Sequence, residues 1–267
     1  MSVEDLLGDK IKAAEISTET FIKDQPLVIR FDGNSFSKFT IDQKFTKPFD
    51  LLFQEAMVAA TKALMSYCSE ARFSYTQSDE ITLVMYNSNP FASAFLSNRV
   101  QKICSIMSSV CTNGFNSYIL EKTGEFPSAA FDCRVFPYAL DDISEPFIWR
   151  QSDCFKNCVS SVLYWGLIQD KGLSNRAASK KMDELSTWQR IDMIESELGI
   201  KMSDYDPSFT RGVGMYKIAV EKSLADLPED IKKFNEGKAF VIRKEIKVDK
   251  NLPLFKEDLD FVKKLVK

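Results

Sequence analysis

Residues 26–33, Pro-Leu-Val-Ile-Arg-Phe-Asp-Gly, constrain the fold of this chain more than any other stretch. A β-branched run that stops at Asp-Gly reads as a buried strand breaking into a tight turn, because branched side chains suit a pleated surface and Asp-Gly favours turn geometry. Side chains alternate along a strand, so Val28, Arg30 and Asp32 share one face. A buried strand that carries an arginine and an aspartate toward its end needs neighbouring strands, covering helices and a use for the charges.

The neighbours are legible. Residues 72–86 are strand-like on both sides of a polar centre, Gln77-Ser78-Asp79-Glu80, which predicts a β-hairpin with those four residues at its tip. Residues 49–68 run without a breaker and place apolar residues every third or fourth position, the pattern of a long helix, and residues 3–16 predict a shorter one. Residues 91–120 predict a further helix, open to a break near Gly114, and residues 131–138 another strand. An aromatic-rich helix over 143–169, shorter helices over 176–185 and 187–198, strands over 213–220 and 239–248, and a Lys-rich helix from residue 256 complete the pattern. The expectation is an α+β protein, with a catalytic domain over residues 1–140 and a helical extension over 141–267 packed upon it.

Composition narrows the chemistry. The chain has no histidine, which removes the side chain most used for acid–base work near neutral pH and the commonest zinc ligand. Its six cysteines form no Cys-x-x-Cys pair and lie among apolar residues, as reduced, packed thiols do. A net charge of −3 gives no global attraction for nucleic acid, so any RNA contact must be local. The chain lacks an apolar run of about 18 residues, and its first residues lack the basic and apolar blocks of a secretory signal, so a cytoplasmic protein without a membrane partner is expected.

Catalysis then rests on carboxylates. Asp32 at a strand end and Asp79 in a hairpin tip are hard oxygen ligands on rigid elements, the arrangement that two Mg²⁺ ions need, and Gly33 allows a backbone carbonyl to approach a metal. Either acidic turn alone is only a turn. Arg30 on the face of Asp32, with Lys47 and Asp50 ahead of the long helix, sets cations for phosphate beside carboxylates for metal. Arg99 and Lys102, three apart on the helix predicted from residue 91, share a face suited to a triphosphate or to solvent.

Taken in order, Ile-Arg-Phe-Asp-Gly-Asn-Ser-Phe-Ser-Lys-Phe (29–39), Lys-Phe-Thr-Lys-Pro-Phe-Asp (44–50), Tyr-Thr-Gln-Ser-Asp-Glu-Ile-Thr-Leu-Val-Met (75–85), Phe-Asp-Cys-Arg-Val-Phe (131–136) and Trp-Arg-Gln-Ser-Asp-Cys (149–154) resemble the tRNA-histidine guanylyltransferase family. The bacterial and phage-type guanylyltransferase-like members are the most similar subgroup. The resemblance implies a polymerase-like palm, an antiparallel sheet with helices on one face, with two Mg²⁺ held by Asp32, Asp79 and the carbonyl of Gly33. It implies a nucleotide along Asp32, Gly33, Asn34, Ser35, Phe36 and Ser37 and at Ser78 and Asp79, with Lys47 and Asp50 near the base. Arg30, Arg99 and Lys102 become triphosphate contacts, Glu80 a supporting carboxylate, and Arg134, Arg150 and Asn157 RNA contacts. The implied reaction uses ATP and GTP and runs opposite to ordinary polymerases: the activated 5′ end of a tRNA or tRNA-like RNA is attacked by the 3′-hydroxyl of the incoming nucleotide. A homotetramer is implied as well.

The chain departs from the family at three places. Phe155-Lys156-Asn157-Cys158 stands where eukaryotic members carry His-Ile-Asn-Asn, Asp132-Cys133-Arg134 replaces Asp-Gly-Arg, and Ser37 replaces a frequent histidine. These departures leave the metal centre untouched and favour template-directed 5′-end repair over addition of one guanosine to tRNA-histidine. Two other classes stay open: a nucleotide cyclase or signalling-nucleotide synthase on a palm-like fold, and a non-catalytic module that binds through the aromatics of residues 147–165.

Overall fold

The strand anticipated around Asp32 is β1 (Leu27–Gly33), and in the computed structural model it lies between two antiparallel neighbours. The structure describes residues 3–14, 25–89, 91, 93–226, 228–234 and 239–267. The other strands are β2 (Ala71–Gln77), β3 (Glu80–Met85), β4 (Phe131–Pro137), β5 (Val213–Ser223) and β6 (Phe240–Asp249). They make one sheet in the order β4-β1-β3-β2-β5-β6, so the two C-terminal strands extend the sheet begun by the first four.

The alternation of β1 decides what covers it. Leu27, Ile29 and Phe31 face a core shared with α3 (Leu51–Tyr67) and α4 (Val100–Thr123), while Val28 faces a second core on the opposite side. That opposite face is covered by α1 (Val3–Ala14), α5 (Glu145–Gln169) and the terminal helix, with Ile11, Phe147, Phe255 and Val262 buried there. The sheet with α3 and α4 on one face is therefore the α+β arrangement expected, and the C-terminal part closes the other face. With both faces covered, a charged pair on β1 has one way out, at the strand end.

The remaining helices are α2 (Phe36–Asp42), α6 (Asn175–Met182), α7 (Thr187–Met193), α8 (Pro207–Thr210), α9 (Glu229–Phe234) and α10 (Asp260–Val266). α6 and α7 pack with α5 around Val159, Leu163, Ala178 and Ile194 in a third core. α7 begins with a capping box, in which the Ser186 hydroxyl accepts the Gln189 N–H and the Gln189 side chain accepts the Ser186 N–H. Among the described residues no helix is long and apolar enough to cross a membrane, and all six cysteines are free thiols.

Three expectations change. The helix predicted from residue 91 starts at Val100, because Leu96, Ser97 and Asn98 have φ values of 48°, 55° and 54° and no right-handed helix passes through such residues. Gly114 does not break α4. A Cβ there would lie 2.9 Å from the Cα of Ala60 and 3.0 Å from the Cβ of Ala63, so the glycine is what lets α3 and α4 approach. The helix predicted from residue 256 starts at Asp260; residues 36–42 form the additional helix α2, and the end of the first predicted helix at residues 15–16 lies outside the described residues.

Candidate active site

The strand pairing brings two acidic tips together. Asp32 is the cross-strand partner of Glu80, which places Asp79, in the two-residue turn between β2 and β3, opposite Gly33 at the end of β1. The backbone N–H of Gly33 donates to the carbonyl of Asp79 at 3.1 Å, and that of Asn34 to the carbonyl of Ala130 at 2.9 Å. Ser35 and Ser78 hold left-handed φ values of 59° and 47°, conformations that non-glycine residues adopt when the surroundings impose them. The Ser78 hydroxyl donates to Asp79 Oδ1 at 3.0 Å. Beneath Gly33 lies the ring of Phe36, wedged among Phe39, Phe53, Phe115 and Phe131 with centroid separations of 4.8–5.9 Å.

Both carboxyls sit above their ordinary ionisation range. For Asp32 the causes are burial and then the negative charge of Asp132, its partner on β4, opposed by Arg134, Arg30 and Arg150. For Asp79 burial dominates, its own backbone N–H opposes it, the charge of Asp32 raises it again, and Ser78 and Lys47 offset part of the rise. Two carboxylates raised by burial and by a neighbouring carboxylate, Asp132 beside Asp32 and Asp32 beside Asp79, form a site with surplus negative charge despite nearby cations, which a divalent cation relieves. The donor set consists of two carboxylates and the backbone oxygen of Gly33, and it suits a hard ion such as Mg²⁺. Among the described residues no group of three or more His, Cys, Asp or Glu side chains is gathered around a point, so further ligands would come from substrate or water.

A cavity of about 290 Å³ opens beside Asp79. One side is formed by Ser37, Lys47, Asp50 and Ser78, the other by Asn157, Ser161 and Trp165 of α5 and by Phe209 of α8. The Lys47 ammonium donates to the Thr40 hydroxyl at 2.7 Å and stands 6.0 Å from the Trp165 ring centroid. Burial lowers its pKa, and Asp50 and Asp79 restore part of it. Asp50 caps α3, accepting the N–H of Phe53 at 3.0 Å and that of Thr46 at 2.8 Å, so its first task is to hold the loop that carries Lys47. Phe49 stacks on Phe209 at 4.6 Å and ties that loop to α8.

The structure gathers Asp32, Gly33, Asn34, Ser35, Ser37, Lys47, Asp50, Ser78 and Asp79 around the paired tips and the cavity, with Phe36 buried as their floor. Asn157 joins the cavity wall. Arg134, on β4, pairs with Asp132 at 3.5 Å, and its charge opposes the rise of the Asp32 pKa. Arg30, expected as a triphosphate contact, is buried with its guanidinium 5.3 Å from the Trp149 ring centroid, and Arg150, expected as an RNA contact, is buried too. Arg99 and Lys102 are exposed at the start of α4 and line no part of the cavity. Thr112, which meets β4 near the site, is ten residues farther along, roughly 15 Å from Lys102 at the rise of an α-helix. Sequence reasoning gives no site role to Thr40 or Phe209, names Asp132 only as part of a family departure, and includes Trp165 only among the aromatics of residues 147–165. The alternation of β4 contained a signal for Asp132, whereas the placement of Phe209 depends on tertiary packing alone.

Comparison with known proteins bears on the family and the fold. Residues 8–139 match the model of the tRNAHis guanylyltransferase family, and residues 141–258 match that of the Thg1 C terminal domain. A tRNA(His) guanylyltransferase from Debaryomyces hansenii is 27% identical over 208 residues, which cover 74% of this chain and 76% of that protein. A bacterial tRNA(His) guanylyltransferase (Thg1)-like protein solved in complex with ATP superposes with a TM-score of 0.74 at 26% identity, covering 100% of this chain and 99% of its own. Its complex with GTP gives a TM-score of 0.69 at 25% identity with the same coverage. The chain belongs to the tRNA-histidine guanylyltransferase family of nucleotidyltransferases.

Proposed function

We propose that this member of the tRNA-histidine guanylyltransferase family adds nucleotides in the 3′–5′ direction to the 5′ end of tRNA or a tRNA-like RNA, following the opposite strand to repair a shortened end. The observation that supports it most is the joining of Asp32 and Asp79 at two bonded strand tips, beside a cavity lined by Lys47 and Ser78. ATP and GTP are the nucleotides proposed as substrates, in keeping with the ligands of the bacterial relative. On family resemblance the proposal extends to a homotetramer.

Asp32, Asp79 and the carbonyl of Gly33 would hold the Mg²⁺ ions, which when bound lower the pKa of the attacking 3′-hydroxyl and neutralise charge on the phosphate. The protein's own part is positional. Gly33 and Asp79, joined through their backbones, fix the spacing of the carboxylates. Lys47, anchored on Thr40, presents a cation to the nucleotide, and Trp165 with the Phe49–Phe209 stack forms the apolar side of the cavity that limits water.

Preference for repair over single guanosine addition follows the segment Phe155-Lys156-Asn157-Cys158. Asn157 lines the cavity, but Phe155 packs among α5–α7 residues and Lys156 pairs with Asp5 of α1 at 3.3 Å. These two positions serve packing and a surface ion pair in place of the eukaryotic motif, while the carboxylate pair is intact.

The test offers the protein tRNAs lacking their first 5′ nucleotide, with full-length tRNA-histidine for comparison, and sequences the extended ends. Added bases that complement the opposite strand are expected. One guanosine on tRNA-histidine alone would replace this reading with dedicated guanylyl transfer, and a cyclic or dinucleotide product made without RNA would replace it with a cyclase.

A further inference from the structure

Arg150, whose residue type suggests an RNA contact, lies at a junction inside the protein. Its side chain is 7% exposed. Nη1 donates to Glu80 Oε1 at 2.7 Å, Nη2 donates to the carboxylate of Asp153 one turn along α5, and the guanidinium lies 4.0 Å from the Trp149 ring centroid. The second oxygen of Glu80 accepts from Gln77 Nε2 at 2.6 Å. Gln77 and Glu80 are the residues on either side of the Ser78–Asp79 turn, and Glu80 is the cross-strand partner of both Gln77 and Asp32. A continuous chain of bonds therefore runs from α5 through Arg150 and Glu80 to both legs of the hairpin that carries Asp79.

We propose that Arg150 is a positioning residue for nucleotidyl transfer: through Glu80 it ties α5 to the Asp79 hairpin and so sets the cavity wall in register with the carboxylate pair. The proposal rests on the function proposed above. Residues 150, 154, 157, 161 and 165 follow one another at helical spacing, so the face of α5 that holds Arg150 continues into Asn157, Ser161 and Trp165 of the cavity wall. A shift of α5 against the hairpin moves the nucleotide against the metal ligands. The pair also governs Glu80 itself. That carboxylate, across the strand pair from Asp32 and next in sequence to Asp79, feels the charge of both and is 18% exposed, and its bond to Arg150 would hold it away from the ions that those aspartates would bind. Removing one partner of a buried pair strands the other charge, and a stranded Glu80 is free to reach toward the metal site.

The test uses the full chain and three variants: Arg150→Met, Arg150→Lys, and Arg150→Met combined with Glu80→Gln. Three quantities are read: Mn²⁺ affinity by electron paramagnetic resonance without RNA, and kcat and KM for both nucleotide and RNA. Loss of a group supporting metal ligands typically costs 10–100-fold in affinity, and misplacement of reacting groups by about 1 Å costs roughly 100-fold in rate. Arg150→Met is expected to weaken Mn²⁺ binding by about tenfold or more and to lower kcat by roughly 100-fold, with the RNA KM within about threefold of wild type. The double variant is expected to recover about tenfold of the rate, because no carboxylate is left stranded. Arg150→Lys, which keeps one charged donor, is expected to fall between Met and wild type.

A raised RNA KM with kcat and Mn²⁺ affinity unchanged would make Arg150 an RNA contact and overturn the proposal. Equal losses in the single and double variants would leave the broken tie as the whole effect, whereas a double variant slower than Arg150→Met would show that Arg150 does not act through Glu80, with the same consequence as an RNA contact. Should Arg150→Met fail to fold, wild-type kcat and Mn²⁺ affinity in Arg150→Lys would also overturn it. If the wild-type protein extends no RNA end, the proposed function fails by itself, while the Mn²⁺ measurements still decide whether Arg150 positions the metal ligands.

Discussion

The backbone N–H of Gly33 donates to the carbonyl of Asp79 at 3.1 Å, so the turn ending β1 and the turn joining β2 to β3 form one unit. The backbones that carry the two carboxylates are therefore coupled. That coupling makes the residues beneath and beside the turns as testable as the carboxylates.

Gly33→Ala tests the floor of the unit. A Cβ at this position would stand 2.4 Å from the ring of Phe36, and four neighbouring aromatic rings leave that ring no room to swing. Overpacking of this kind costs about 1–3 kcal/mol. Urea denaturation should show that loss, and single-turnover transfer should slow by more than about tenfold as the tips part. Wild-type stability together with wild-type rate would show that the contact is soft.

Gly114→Ala sets two effects against each other. Alanine gains about 1 kcal/mol of helix propensity over glycine. Its methyl, however, would meet the Ala60 backbone at 2.9 Å and the Ala63 side chain at 3.0 Å, and backbone atoms cannot rotate away. Separation of α3 from α4 should outweigh the propensity gain, so a lower melting temperature is expected. A higher one would mean that the helices have slack.

Much of this arrangement is legible in the sequence because it is local. The alternation of β1 and the polar tip of the hairpin state their own geometry, and they place Asp32 and Asp79 at neighbouring ends before any contact is known. The start of α4 is not legible in the same way. Residues 96–98 are left-handed in a stretch of small and apolar residues that, taken alone, reads as helix. Arg150 shows the limit more sharply, since a cation in sequence looks like a phosphate contact until burial and Glu80 assign it an internal partner. Arg99 and Lys102 keep a suitable spacing, yet the helix carries them away from the cavity of their own chain. The Phe49–Phe209 stack joins positions far apart in the chain and has no local signature.

Lys47→Met tests the cavity wall. A hydrogen bond to a charged group is worth about 1.5–3 kcal/mol, which corresponds to roughly 10–150-fold in affinity. Calorimetric titration should show nucleotide binding weakened within that range while the thermal melt moves little, since the lysine's bond to Thr40 is one of several that hold the loop. Unchanged nucleotide affinity would remove Lys47 from the binding site.

Asp206 gives the wall a pH dependence. Its carboxylate accepts the Ser208 N–H at 2.8 Å and the Ser208 hydroxyl at 2.6 Å, and these bonds hold its pKa below the ordinary value. Ser208 in turn accepts from Gln54 of α3 at 3.0 Å. A carboxyl depressed on folding contributes stability that is complete above its unfolded pKa, about 3.9, and is lost as pH falls through the lower folded value. The melting-temperature difference between wild type and Asp206→Ala should therefore be full at neutral pH and narrow below about pH 4. A difference that widens on acidification would assign the capping bond to the protonated form.

The most direct measurement is transfer of a labelled nucleotide to a 5′-shortened tRNA by Asp32→Asn and Asp79→Asn, with circular dichroism and RNA affinity recorded on the same preparations. Each substitution keeps the size of the side chain and removes the charge that a Mg²⁺ ion needs. Turnover is expected to fall to background in both variants, with the fold and RNA binding close to wild type. Transfer retained within about tenfold of wild type in both would contradict the assignment of Asp32 and Asp79 as the catalytic pair.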